Sequence, residues 1–387
     1  VPETTDVVII GAGPAGLTLA NLLQRNGIAC IVLEARDRSH VEDRQRAGVL
    51  DHYGGEIFAA AGLSDAVIAG APREKFLELR YEGEPHFFDG PSRSGGRAGV
   101  IVPQQLLVRR LLATFVEAGG DLRFGVADIE LQDLTNPRLA YAGGELTASY
   151  IAGCDGFHGV SRRSIPPSEL TTYEFDHGIG WYTVLAESPP PWHALMGISS
   201  HGFAAQFARG PKASRFYLQY APGGGDPRDW PDDYTWDQLR LRLGDPALRS
   251  GPITDKEIVE MRSFVAEPMS HENLFLAGDA AHIITPMGAK GMNLALFDAD
   301  QLATALTKAL HDSDDSALRA YSDVCLRRTW DYQEFSHWFT EMVHDAGAQP
   351  DPFRRRLARA RFNRLFTNPT AAAHFADMMA GTALTQP

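Results

Sequence analysis

Asp6-Val7-Val8-Ile9-Ile10 runs straight into Gly11-Ala12-Gly13-Pro14-Ala15-Gly16, and the fold is read from that junction. A short apolar run of this kind is a buried parallel strand. Leu17, Leu19, Leu22 and Leu23 then follow in a helical pattern. Gly27 stops the helix, and Ile28 to Leu33 forms a second strand that ends at Glu34. Strand, glycine turn, helix and strand at these lengths make a dinucleotide-binding unit. The glycines let the backbone approach a pyrophosphate, and the helix N-terminus turns its amides and positive dipole end toward that anion. Gly11, Gly13, Pro14, Ala15 and Gly16 are therefore cofactor-binding candidates, and Glu34 is placed to accept hydrogen bonds from a ribose. An ordinary α/β domain can use the same glycines for a tight turn, so the reading rests on turn, helix and distal acid together.

The 387 residues are more than one core of ordinary size organises, and two or three packed domains are expected. Hydrophobic residues at 44% and charged residues at 22% give an ordinary globular balance rather than a disordered one. A net charge of −13 argues against nucleic acid or an anionic membrane as the main partner. It does not forbid an anionic substrate, because a nearby arginine overrides distant, screened charge. No run of about 18 apolar residues is present and no secretory leader is read, so a soluble cytoplasmic protein is the expectation. Cys30, Cys154 and Cys325 are odd in number and far apart, which suggests neither a disulfide framework nor a zinc site.

Farther along, Val102 to Glu117 reads as a helix and Leu146 to Ala152 as a strand returning to the first sheet. Between about Trp181 and Phe264, runs such as Arg215-Phe216-Tyr217-Leu218-Gln219-Tyr220 read as antiparallel strands between turns rich in Gly, Pro and Asp. Leu77 to Phe88 reads as a hairpin of the same region. From Met292 onward the pattern is helical, interrupted at Pro350 and Pro369. The expected layout is a nucleotide domain of residues 1–73 and 98–180, completed by about 270–293. A mixed β-sheet domain of residues 74–97 and 181–269 is inserted into it, and a helical region of residues 294–387 follows.

Two further segments bear on which nucleotide is bound. Cys154-Asp155-Gly156 follows a strand, and Leu274-Phe275-Leu276-Ala277-Gly278-Asp279-Ala280-Ala281-His282 is a strand entering an acidic turn. Pro286, Gly288, Gly291 and Asn293 follow at the start of a helix. Asp279 can bind a ribityl or ribose hydroxyl, and the amides of the new helix can face a flavin's polar edge. In this order and spacing, the three segments resemble the signatures of FAD-containing group A monooxygenases. Arg44-Gln45-Arg46-Ala47-Gly48-Val49-Leu50, Tyr150-Ile151-Ala152-Gly153-Cys154-Asp155-Gly156-Phe157-His158-Gly159 and Gly288-Ala289-Lys290-Gly291-Met292-Asn293 closely resemble the para-hydroxybenzoate hydroxylase family. The resemblance runs from Asp6 to about Gly381 and loosens after Asp345.

The resemblance implies an α/β fold: a glutathione-reductase-type FAD-binding domain, an inserted mixed β-sheet substrate domain and a helical C-terminal region. It implies noncovalent FAD, with Glu34, Arg44, Arg46, Ala47, Gly48, Val49, Gln104, Asp155, Asp279, Met292 and Asn293 at cofactor positions. Arg44 and Arg46 also have a rationale of their own, because guanidinium pairs well with pyrophosphate, although a solvated basic turn looks the same. NADPH or NADH would be a transient electron donor. No second glycine fingerprint is present to hold it, and His158 and Arg262 match positions associated with its visit. The segment Ala35-Arg36-Asp37-Arg38-Ser39-His40 mixes charge signs and leaves the choice of nucleotide open. A homodimer is expected.

For the substrate, Arg209 matches an arginine that pairs a benzoate carboxylate, and Tyr217 a tyrosine that hydrogen-bonds it. Pro286 matches the residue whose backbone carbonyl lies against the reacting ring, the one catalytic candidate. The family's phenol-deprotonating tyrosine, a second tyrosine behind it and a histidine leading to solvent have Met196, Met379 and Arg73 at the nearest matching positions. Phe207 stands in place of a serine near the carboxylate. Methionine neither takes nor gives a proton, so the relay is absent in the form the family builds it. The implied reaction is hydroxylation of a small aromatic carboxylic acid with O2 and NAD(P)H. The substrate would be an amino- and/or hydroxy-substituted benzoate rather than simple 4-hydroxybenzoate. A hydroxylase that decarboxylates a ring-substituted 4-hydroxybenzoate, a flavin-dependent halogenase and a non-catalytic flavin-binding protein are the alternatives. A halogenase would carry a Trp-x-Trp-x-Ile-Pro segment, and this sequence has none.

Overall fold

The computed structural model describes residues 3–43, 48–73 and 76–381. Glu3–Ile10 lies at the centre of the first sheet, parallel to Cys30–Leu33 on one side and Gly144–Gly153 on the other. Leu274–Leu276 extends the sheet beyond Gly144–Gly153, and Asp121–Arg123 extends it beyond Cys30–Leu33. Val7, Val8 and Ile9 are fully buried, as befits a strand covered on both faces. The helix Pro14–Arg25 packs against Gln104–Glu117 and Lys290–Asp312. The register decides where the site can be. Ile10 stands beside both Leu33 and Gly153, and Gly153 stands beside Leu276. Four parallel strands therefore end level, and the turns after them emerge along one edge, where open α/β sheets bind ligands.

The second sheet has eight strands, ordered His282–Ile283, Ile253–Glu267, Thr171–Ala186, Ser214–Tyr220, Gly202–Ala208, Ala194–Ser199, Leu77–Tyr81 and Glu84–Phe88. Ala194–Ser199 pairs in parallel with Leu77–Tyr81 and the other pairs are antiparallel, so the sheet is mixed. Its longest strand starts at Thr171, ahead of the first apolar signal at Trp181. Residues 171 to 176 are all exposed and carry no buried alternation to read. The two-residue period sorts the side chains onto two faces. Tyr182, Val184, Phe216 and Leu218 pack under the helix Asp232–Leu243. Trp181, Met196, Phe203 and Tyr217 point the other way, into a core shared with Phe335, Phe339 and Phe375 of the C-terminal helices.

Those helices are Lys290–Asp312, Ser316–Ala348, Pro352–Thr367 and Pro369–Ala380. Pro352 and Pro369 sit in the first turn of their helices, where a missing N–H costs nothing. Among the described residues, no helix is long and apolar enough to cross a membrane.

Candidate active site

At the end of the first strand, Gly11 has a φ of +105°, and a Cβ there would lie 2.3 Å from the Cys154 carbonyl oxygen. A Cβ on Gly16 would lie 2.0 Å from the Gly11 carbonyl oxygen. These two glycines let strand, turn and helix close on one another. Gly13 differs: no described atom lies within 4 Å of where its Cβ would be. It heads the helix Pro14–Arg25, which has no side-chain cap and no acidic residue in its first turn. The amide end is open and electropositive, as a pyrophosphate requires. Beside it, the Glu34 carboxylate accepts the Ala12 and Arg36 amides, each at 2.8 Å. Those bonds aim the carboxylate, and its remaining lone pairs are left for ribose hydroxyls.

The next two strand ends are tied together. Asp155 accepts both the amide and the hydroxyl of Ser161 at 2.9 Å. Its other oxygen is buried with no partner among the described residues, and burial pushes its pKa up. In this structure Asp155 shapes its own loop. Arg162 donates to the Ala280 carbonyl at 2.8 Å and to the Phe157 carbonyl at 2.5 Å, linking that loop to the acidic turn. Asp279 is exposed on this turn. The turn is held from behind by fully buried Asp298, which accepts the Gly278 amide at 2.9 Å and lies 2.7 Å from His282 Nε2. Burial would lower the His282 pKa, but the Asp298 carboxylate outweighs it and the net shift is upward.

Asn293 gathers the remaining cofactor candidates. Its amide nitrogen donates to the Val49 and Ala289 carbonyls at 2.9 and 2.8 Å, and its oxygen accepts the Asp51 amide at 3.0 Å. Gly48 lies against Val102 to Gln104, so that a Cβ would be 2.1 Å from the Val102 carbonyl oxygen. Ala289 takes a left-handed φ of 54° and turns the chain into Lys290–Asp312, whose first turn also lacks a side-chain cap and an acid. Half-buried Met292 sits in that turn. Two uncapped helix ends, an aimed Glu34 and an exposed Asp279 fit FAD: Gly13 would hold its pyrophosphate and the turn at Met292 would face the flavin's polar edge. Arg44, Arg46 and Ala47 lie outside the described residues.

On the inner face of the second sheet, Met196 stands opposite Ala205, and Ala205 opposite Tyr217. Phe207 meets the Tyr217 ring edge-on at 5.6 Å. Arg209 follows on the same strand end, half-buried, with its guanidinium on the Ala208 carbonyl at 3.1 Å. Burial lowers the Arg209 pKa and Tyr217 partly offsets it, and Arg209 forms no ion pair with a carboxylate among the described residues. Met379 packs into the same core as Met196, although 183 residues separate them. Pro286 is exposed on the turn before Lys290–Asp312, and its carbonyl accepts the Ala289 amide at 3.1 Å. Arg73 forms a single bridge with Val100.

A family model described as "FAD binding domain" matches residues 4–336. The p-hydroxybenzoate hydroxylase of Acinetobacter baylyi is 33% identical over 387 aligned residues, covering 97% of this chain and 95% of that one. The chain belongs to the p-hydroxybenzoate hydroxylase family. A 3-(3-hydroxy-phenyl)propionate/3-hydroxycinnamic acid hydroxylase of Mycobacterium is 26% identical over 92% of this chain and 62% of its own length. In fold, p-nitrophenol 4-monooxygenase PnpA from Pseudomonas putida superposes with a TM-score of 0.83 at 18% identity, covering 99% of this chain and 100% of that one.

As a member of the p-hydroxybenzoate hydroxylase family, the protein is an FAD-dependent aromatic hydroxylase, and the family's electron donor is NADH or NADPH. His158 and Arg262, at positions associated with that donor, are brought together around Phe157. The Arg262 guanidinium lies 4.2 Å from its ring centre, and the exposed His158 meets it edge-on at 5.0 Å. Arg162 adds a second guanidinium at 4.7 Å. Sequence reasoning missed Trp181, whose ring is 4.8 Å from Tyr217, and Arg215, which bonds Thr183 and Glu257 on the same face. Their two-residue phase with Tyr217 was a usable signal for Arg215, two positions earlier on its strand. For Trp181 the phase becomes visible only once the strands are paired.

Proposed function

We propose that the enzyme hydroxylates the ring of a small benzoate-type acid carrying an amino group, or amino and hydroxyl groups, and that it is a poor 4-hydroxybenzoate hydroxylase. One observation carries this reading. A half-buried guanidinium with no carboxylate partner among the described residues follows one strand of the inner sheet face, and Met196 on that face and Met379 from the helix Pro369–Ala380 pack into one core with aromatic side chains. A planar guanidinium suits a planar carboxylate. Methionine cannot deprotonate a phenol, so the ring must already be electron-rich, as an aminobenzoate is. When bound, FAD takes electrons from NAD(P)H and activates O2, so that one oxygen enters the ring and the other leaves as water. The protein's part is to hold the carboxylate at Arg209 and Tyr217, set the ring against the Pro286 turn and exclude water.

The test compares hydroxylated product per NAD(P)H consumed for 4-hydroxybenzoate, 4-aminobenzoate and 3-amino-4-hydroxybenzoate. Loss of a positioned base costs about 100- to 10,000-fold, and the amino compounds should escape most of it. Tightly coupled turnover of 4-hydroxybenzoate would mean that another group performs the relay and that Met196 and Met379 do not set the substrate. Coupled release of carbon dioxide from a ring-substituted 4-hydroxybenzoate would point to the decarboxylating reaction instead.

A further inference from the structure

The helix Ser316–Ala348 carries polar side chains where its neighbours are apolar. Gln333, Ser336, Thr340 and His344 share one side at helical spacing, and all four are buried. Buried polar groups persist where they are bonded, and these bond the chain on either side of Pro286 and the Trp181 strand. Gln333 donates to the Ile283 carbonyl at 2.8 Å. The Ser336 hydroxyl lies 2.8 Å from the Met287 carbonyl oxygen and 3.1 Å from that of Thr285. The Thr340 hydroxyl lies 2.9 Å from the Thr285 hydroxyl, so the residues flanking Pro286 are gripped from one helix. One turn on, the Trp181 indole N–H donates to His344 Nε2 at 2.8 Å, and His344 Nδ1 lies 2.8 Å from the Thr340 carbonyl oxygen. These bonds place the imidazole proton on Nδ1 and leave Nε2 as the acceptor.

We infer that this polar row is a positioning device for the substrate, with His344 holding the Trp181 indole against Tyr217 while Ser336 and Thr340 hold the turn around Pro286. Ser336 and His344 are about 12 Å apart along the axis at 1.5 Å per residue. One rigid helix thus sets the spacing between the Arg209–Tyr217 end of the pocket and the turn facing the reacting carbon. The inference rests on Arg209 as the carboxylate anchor. His344 acts through Trp181 and touches no reacting atom. Phe203 keeps the pair in place, 4.6 Å from the imidazole and stacked on the indole at 5.6 Å. A wall that rotates shifts the ring, and a shift of about 1 Å in a reacting geometry costs on the order of 100-fold.

The experiment uses the FAD-loaded enzyme and the variants His344→Leu, His344→Gln, Trp181→Phe and the double variant Trp181→Phe/His344→Leu. The Trp181 indole proton resonance is identified by its loss in Trp181→Phe. It should move and exchange faster with solvent in His344→Leu, but persist in His344→Gln, whose amide oxygen can accept. The dissociation constant of 4-aminobenzoate is read from the flavin absorbance, and coupling from product per NAD(P)H. His344→Leu and Trp181→Phe should each weaken binding or coupling at least tenfold, with the double variant no worse than the poorer single. His344→Gln should recover most of the loss. Unchanged binding and coupling in His344→Leu or Trp181→Phe, or losses that multiply in the double variant, overturn the inference. If His344→Leu does not retain FAD, Trp181→Phe decides by itself. A parent enzyme that does not bind 4-aminobenzoate overturns both the substrate class and this inference. A parent that binds it, with Arg209→Ala binding equally well, overturns the anchor and with it the spacing that this helix is inferred to set, but not the substrate class.

Discussion

Replacing Arg209 by alanine should remove the carboxylate anchor and little else. The guanidinium is half-buried, its pKa is lowered by burial, and no described carboxylate pairs with it. A charge held in this way gains most from an anion delivered by a ligand. Breaking a buried, hydrogen-bonded charge pair costs about 2–5 kcal/mol. Partial exposure of Arg209 places the expected loss in the lower half of that range, about 2–3 kcal/mol, or roughly 30- to 150-fold in Kd. The assay is an absorbance titration of the flavin with 4-aminobenzoate, with FAD content measured on the same sample. FAD content should not change, because Arg209 follows a strand of the second sheet while the FAD candidates described here line the edge of the first. Aniline, which lacks the carboxylate, should bind parent and variant alike. Arg209→Lys keeps the charge but loses the planar fork, and should fall between the two. Equal Kd values for 4-aminobenzoate in parent and Arg209→Ala would refute the anchor and move the pocket elsewhere.

Gly13→Val should yield a folded protein without flavin, since a Cβ there meets no described atom within 4 Å and would take space that the bound pyrophosphate would need; release of FAD on denaturation, set against a thermal melt, reads both properties. Gly16→Val should instead lower the melting temperature of the apoprotein, because its Cβ would press on the Gly11 carbonyl oxygen at 2.0 Å. Burial holds the His344 pKa down at about 4, so the fold favours the neutral ring. The resulting stability is present above the unfolded value near 6.5, is lost as pH falls toward 4, and amounts to about 3 kcal/mol. Denaturant titrations at pH 7 and pH 4 should accordingly show the parent losing about that much more stability than His344→Gln; equal losses would mean that His344 is not held neutral.

The FAD edge was legible because its glycines answer to local geometry. Gly11 and Gly16 are required because a strand end, a turn and a helix start pack so closely that a Cβ would lie 2.3 and 2.0 Å from a backbone oxygen. Asp279 and Asn293 were legible as positions in a recurrent order, but their tasks were not. Asn293 joins Val49 to the start of its own helix, and Asp155 spends one oxygen on Ser161; neither partner follows from spacing. The substrate candidates were less legible still. Met196 meets Tyr217 only through the pairing of three strands, and Met379 arrives from a helix near the end of the described chain. His344 was overlooked because a helical apolar pattern invites the eye to discount polar residues within it. Polar side chains recurring on the buried side of a helix are the trace that a bonded row leaves in sequence.

The acidic composition and the anion-binding site are compatible because the two act over different distances. A net charge of −13 acts over the whole surface, but beyond a Debye length of about 8 Å its effect is largely screened. The groups facing the anions are nearer than that and partly desolvated, where charge interacts more strongly. The two helix ends without an acidic first turn are the cofactor candidates, Arg162 and Arg262 flank Phe157, and Arg209 is the proposed substrate anchor. Neither helix has an acid in its first turn, and Arg209 has no ion pair with a carboxylate among the described residues, in a chain with 49 acidic residues to 36 basic ones. Elsewhere arginines are neutralised: Arg123 by Glu3 and Asp121, Arg215 by Glu257, and Arg361 by Glu341. Local pairing, rather than total charge, leaves Arg209 without an ion pair among the described residues and so able to take its counter-ion from a ligand.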